Sequence, residues 1–188
     1  MNWTRAYGIC LLTVLAISGC VSAPPEPGDP TSDEALLQAL FREAVQTIEQ
    51  GDLNEARSRF EQLARDYPDK AGPAANLGII AFTEGDLGTA KQWFEQVLGV
   101  SPQHVHALNY LGVIARNNGE FSEAEQYYRA ALAADQDYVP AILNLAFLLD
   151  IYLGKPAKAV ELYERYQSAA SEPHPRLEDW IFDAKNRI

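Results

Sequence analysis

"QGDLNEARSRFEQLARDYP", residues 50–68, is followed 34 residues later by "EGDLGTAKQWFEQVLGVSP", residues 84–102. Most residues differ between the two stretches, but the punctuation does not. Gly51, Gly85 and Gly119 return at the same interval, each between two apolar-periodic stretches. Glycine enters the left-handed conformation that ends a helix at little steric cost. Asp52 and Asp86 follow at once, placed to cap a second helix, and Asp52 with Glu55 has capping-box spacing. Each period therefore reads as helix, tight turn, helix.

Positions inside the period have packing roles. Ala56, Ala90 and Ala124 recur in the second helix, as do the rings Phe60, Phe94 and Tyr128. A small residue lets paired helices approach, and the ring fills the gap one turn further on. In the first helices, Leu77-Gly78, Leu111-Gly112 and Leu145-Ala146 set a large residue beside a small one, while Pro68 and Pro102 close their units. The interval is strict because each unit must stack on the next.

These residues resemble the tetratricopeptide repeat, whose unit is 34 residues. The resemblance covers roughly residues 37–172 and implies an all-α, right-handed superhelix of stacked helix pairs. Units are expected at 37–70, 71–104, 105–138 and 139–172 within a domain spanning 34–188. The fourth is degenerate: Gly154, Ala159 and Tyr163 sit 35 residues beyond their counterparts, so one extra residue lies between Phe147 and Leu153. The first has Glu43-Ala44 where leucine-glycine is usual, and the third has Gln136 where proline is expected. The tail "RLEDWIFDAKNRI" puts Leu177, Trp180, Ile181 and Ala184 on one helical face. A capping helix is expected over 175–187, because a terminal repeat must hide an otherwise open apolar end.

The first twenty residues read as an address. "MNWTRAYG" carries Arg5, and an apolar run from Ile9 to Ile17 is too short to span a bilayer but suits a secretory signal. It ends in Ile17-Ser18-Gly19-Cys20, which resembles the bacterial lipobox. That resemblance implies removal of residues 1–19 and a diacylglycerol thioether on Cys20, completed to three acyl chains. An ordinary secretory signal with an incidental cysteine, or an uncleaved anchor, are the rival readings. Cys10 lies within the segment to be removed, so Cys20 would be the only thiol left, which fits lipid better than a disulfide. Val21, where aspartate retains enterobacterial lipoproteins in the inner membrane, implies the outer membrane, facing the periplasm. Residues 20–33 then form the lipidated cysteine and a linker. Pro24, Pro25, Pro27 and Pro30 favour extended polyproline II, with a reach of about 40 Å over a dozen residues.

The chain has 188 residues and a formal net charge of −11. That balance opposes nucleic-acid binding, which needs a cationic face, and electrostatic attachment to anionic lipid. No nucleophile elbow, phosphate-binding loop or HExxH zinc motif is present, so no enzyme and no cofactor beyond the Cys20 lipid are expected. His104 and His106 are two residues apart at a helix start, pointing to different faces, and His174 sits between two prolines. Surface histidines are preferred to metal ligands there.

The resemblance instead implies a concave groove lined by the first helices. Val45, Ile79, Val113 and Phe147 recur at a groove position, giving an apolar floor, and Phe41, Phe82, Asn109, Arg116, Asn117 and Asp150 are placed around it. Such a groove would take a helix or extended segment with apolar anchors from another envelope protein. The alternative is that the capping helix or a second copy of the chain, as a homodimer, fills it. Asn76 and Asn144 hold a position where some family members bind a peptide backbone. Tyr110 breaks that ladder, and the frequency of asparagine at the position is the preferred explanation of the pair. Two functions share this physics: a lipid-anchored scaffold or adaptor, and an assembly factor, pilotin-like or for pilus biogenesis, serving an outer-membrane or pilus machine. A direct cell-wall ligand is a third, with no sugar-binding motif to support it.

Overall fold

The computed structural model describes residues 32–188. The proposed signal, Cys20 and the proline linker therefore lie outside the described residues. Among the described residues every regular element is helical, as the 34-residue period requires. The elements pair as α1 (Asp33–Glu49) with α2 (Leu53–Asp66), α3 (Ala71–Thr83) with α4 (Leu87–Val100), α5 (Val105–Asn117) with α6 (Phe121–Ala134), and α7 (Val139–Phe147) with α8 (Pro156–Ala169). A last helix, α9 (Leu177–Lys185), packs on α8. Successive pairs stack, with α2 against α3, α4 against α5 and α6 against α7.

The turns follow from residue type. Gly51, Gly85 and Gly119 have φ of 83°, 84° and 81°, where a side chain would be strained. The Asp52 and Asp86 carboxylates accept from the backbone N–H of Glu55 and Thr89, each at 3.0 Å. The capping box at Asp52 is only half made. The Glu55 side chain pairs with Arg59 at 2.8 Å, and the Asp52 N–H donates to the Thr47 carbonyl oxygen instead.

Packing inside each pair is ring against small residue. Phe60, Phe94, Tyr128 and Tyr163 are fully buried, and so are Ala56, Ala90, Ala124 and Ala159. A Cβ added at Gly78 would lie 2.7 Å from the Phe94 ring, and one at Gly112 would lie 2.5 Å from the Tyr128 ring. Those two glycines are the floor on which the rings rest. Ala44 and Ala146, both fully buried, hold the same position in the first and fourth pairs.

The extra residue of the fourth pair is absorbed in the helix. Leu148–Tyr152 form a π turn continuing α7, in which the Leu153 N–H donates to the Leu148 carbonyl oxygen at 3.0 Å. A five-residue step admits one residue more per turn than the α-helical step, so the chain reaches Gly154 without breaking α7.

Candidate functional site

The positions expected to form the floor lie on the first helices of the pairs. Val45, Ile79 and Val113 are partly buried, each packed on a hydrophobic cluster while keeping part of its surface in solvent. Aromatic side chains wall this face. Phe82 meets Tyr110 edge-on, with centroids 5.0 Å apart, and Tyr110 lies flat on buried Phe94 at 4.9 Å and 4°. Tyr110 interrupts the asparagine ladder because it belongs to this aromatic stack. Arg116 is partly buried beside the floor and Asn117 is exposed. At the amino-terminal end, Phe41 meets Phe60 edge-on at 5.4 Å. Phe41 lines an open cavity of about 370 Å³ with Leu37 and Pro73, and the Lys70–Glu34 ion pair at 3.3 Å stands on its rim.

The carboxyl-terminal end differs. Phe147 was placed on the open floor by its register, but Trp180 of α9 stands over it, with ring centroids 4.6 Å apart and planes at 67°. His174 stacks on Trp180 at 4.5 Å. Asp150, expected at a polar edge, is buried. It accepts from the Tyr163 hydroxyl at 3.3 Å and forms an ion pair with Arg187, just beyond α9. Phe147 and Asp150 thus belong to the capping contact. Leu177 and Ala184 are buried in the same cluster, with Trp180 and Ile181 packed against it. Burial raises the Tyr163 phenol above its usual range, and the charge of Asp150 raises it further.

The asparagines look inward. Asn109 is buried, and its side-chain carbonyl oxygen accepts from the Asn144 amide at 3.0 Å, tying α5 to α7. Asn76 donates to the Gly72 carbonyl oxygen at 3.0 Å in its own helix. The histidines are closer than their spacing implied. His104 and His106 have ring centroids 5.9 Å apart because His104 turns back to cap α5, accepting from the Ala107 N–H at 3.3 Å. His106 bonds the Tyr138 hydroxyl at 3.0 Å. Among the described residues, no group of three or more His, Cys, Asp or Glu side chains is arranged to hold a metal ion. No helix among them is long and apolar enough to cross a membrane.

Sequence reasoning did not foresee Arg187 or Tyr163 as partners of Asp150. The available signal was an acidic residue inside the apolar run "AILNLAFLLDIYL", which needs a buried counter-charge once that run is helical.

Comparison with known proteins agrees with this architecture. The chain resembles a MamA protein crystal structure with TM-score 0.69 and 19% identity, over 82% of this chain and 83% of that one. A Pseudomonas aeruginosa pilF structure gives TM-score 0.70 and 19% identity, over 82% and 69%. A Thermobaculum terrenum O-GlcNAc transferase mutant gives TM-score 0.65 and 21% identity, over 73% of this chain but 27% of that one. At these identities the likeness shows the fold. No curated protein sequence matches the chain. The tetratricopeptide repeat model matches residues 41–99 and 76–139, together more than half the sequence and the stretch that holds the glycine turns and the ring-on-glycine packing. The chain belongs to the tetratricopeptide repeat family.

Proposed function

We propose that the protein is a non-enzymatic scaffold that binds a segment of another envelope protein in the groove of its first helices, held at the periplasmic face of the outer membrane by lipid on Cys20. The observation that carries this reading is the apolar floor Val45–Ile79–Val113, walled by Phe82 and Tyr110 and closed at one end by α9. A floor closed at one end by the chain itself and open along its first three units fits a helix or extended segment entering from the amino-terminal side. Among the described residues, α9 covers Phe147 of the fourth unit. The lipobox-like Ile17–Cys20 supports the anchor, and the proline linker would let the groove stand clear of the membrane.

The experiment is photocrosslinking in intact cells from position 113, repeated with Ile79→Asp. A crosslinked partner that disappears in Ile79→Asp, with helical circular dichroism unchanged, supports the groove. A partner that persists overturns it. Fractionation of Cys20→Ser tests the anchor: the protein should move from membranes to the soluble fraction, and unchanged fractionation would refute lipidation.

An assembly factor for an outer-membrane or pilus machine is the second reading. It uses the same groove and the same lipobox-like motif. The partner's identity separates the two: a secretin or pilus subunit favours assembly, and a cell-wall hydrolase favours an adaptor.

A further inference from the structure

On the side of α7 away from Phe147, between α6 and α8, lies a cavity of about 530 Å³. Leu145 and Leu149 stand two residues either side of Phe147 and therefore face the opposite way. They form the cavity's floor with Leu132 and Leu162, and Arg129, Lys158 and Arg165 line it with the single carboxylate of Glu161. Its volume is that of an ordinary ligand site.

The other units supply the comparison. Leu162 stands where the second and third units have Trp93 and Tyr127, partly buried rings that each pack on hydrophobic clusters of adjoining units. In the fourth unit that ring is a smaller leucine and the space stays open. The charge changes as well. Glu95 and Glu123 hold the places of Arg129 and Lys158 one groove earlier, and Ala130 that of Arg165. A chain of net charge −11 has therefore gathered cations around this slot between the third and fourth units. Arg129 is held by Glu125 at 2.7 Å, and Arg165 donates to the Gln136 carbonyl oxygen. Lys158 has no ion-pair partner among the described residues.

We propose that this slot is a second protein-docking site, taking a partner segment that inserts one aliphatic or aromatic side chain between carboxylates. Leu132 and Leu162, partly exposed above buried Leu145 and Leu149, would receive the apolar side chain, and Lys158 with Arg165 would pair the flanking acids. The slot lies across α7 from the groove floor, so both sites can be occupied together.

The test is selection of a random 12-residue peptide display library on the full-length protein, followed by fluorescence polarisation of the enriched peptides. Leu162→Tyr and Lys158→Glu each install the third unit's own residue and so should fold. Enriched peptides should carry an apolar residue beside Asp or Glu, lose at least tenfold in affinity to either variant, and bind Val113→Asp as they bind wild type. Peptides that are not acidic, or that bind Leu162→Tyr equally, would overturn the proposal. So would an absence of enriched peptides; phosphatidylglycerol vesicles that then bind wild type but not Lys158→Glu would make the slot a lipid site.

Discussion

Arg187, two residues beyond the last helix, is ion-paired with Asp150, whose side chain is only 3% exposed. The carboxylate sits in the π turn, so the tail is fastened to the one non-α-helical element among the described residues. The pair is asymmetric: Asp150 is buried and Arg187 is half in water. Arg187→Ala would strand a buried charge, whereas Asp150→Asn removes that charge and can still accept from Tyr163. Arg187→Ala is expected to cost about 1–3 kcal/mol and Asp150→Asn less, measured by urea unfolding at neutral pH. Equal losses would show that the charge itself is of little account.

Deleting residues 171–188 should be more severe. It uncovers Phe147 and removes Leu177 and Ala184 from the core cluster. Light scattering should show association of the shortened chain, since an open repeat end exposes apolar surface. A monodisperse, fully helical product would contradict the capping role.

Gly112→Ala and Gly99→Ala should have opposite signs. The new Cβ at 112 meets the Tyr128 ring at 2.5 Å, and Tyr128 is fully buried with no room to retreat, so a loss of about 1–3 kcal/mol is expected. At Gly99, within α4, nothing lies within 4 Å, and alanine should gain about 0.5–1 kcal/mol from helix propensity. Thermal melts of the two variants check both.

Tyr128 carries a buried hydroxyl with no hydrogen-bond partner among the described residues. Burial, the largest cause, pushes its phenol up to about 12. Phe60 and Phe94 fill the same place in the first two units without that hydroxyl. Tyr128→Phe should therefore be neutral or raise the melting temperature, because an unsatisfied buried donor costs about 1–3 kcal/mol. A clear fall in melting temperature would mean that the hydroxyl has a partner in solution.

His104 gives a pH test. Burial, then the charge of neighbouring His106, holds its imidazole below the ordinary range. The unfolded chain takes up the proton first as pH falls through about 6.5, so stability is fully present above that value. It is lost as pH drops toward the folded group's lower value. His104→Asn keeps an N-cap acceptor but does not titrate. Between pH 7.5 and 5.5 the wild type should lose more melting temperature than His104→Asn, and parallel curves would exclude the histidine.

The fold was legible because its determinants are local and repeated. Glycine at a positive φ, aspartate at a helix start, and alanine opposite a ring each announce themselves in one dimension. The site was legible only where it is periodic. Val45, Ile79 and Val113 keep their register, but Phe147 and Asp150 answer to α9, some thirty residues away, which no 34-residue count anticipates. Asn109 and Asn144 satisfy each other for the same reason. Register places a residue on a face, while only tertiary contact decides whether that face is covered.

The π turn has a practical corollary for engineering. It carries the buried carboxylate that holds Arg187, so the last unit and its cap form a matched set rather than an interchangeable module. Duplicating residues 71–104 in place would lengthen the array and leave the fourth unit and its cap untouched. Replacing 139–172 with another copy of the same module would leave Arg187 and Trp180 with nothing shaped to meet them.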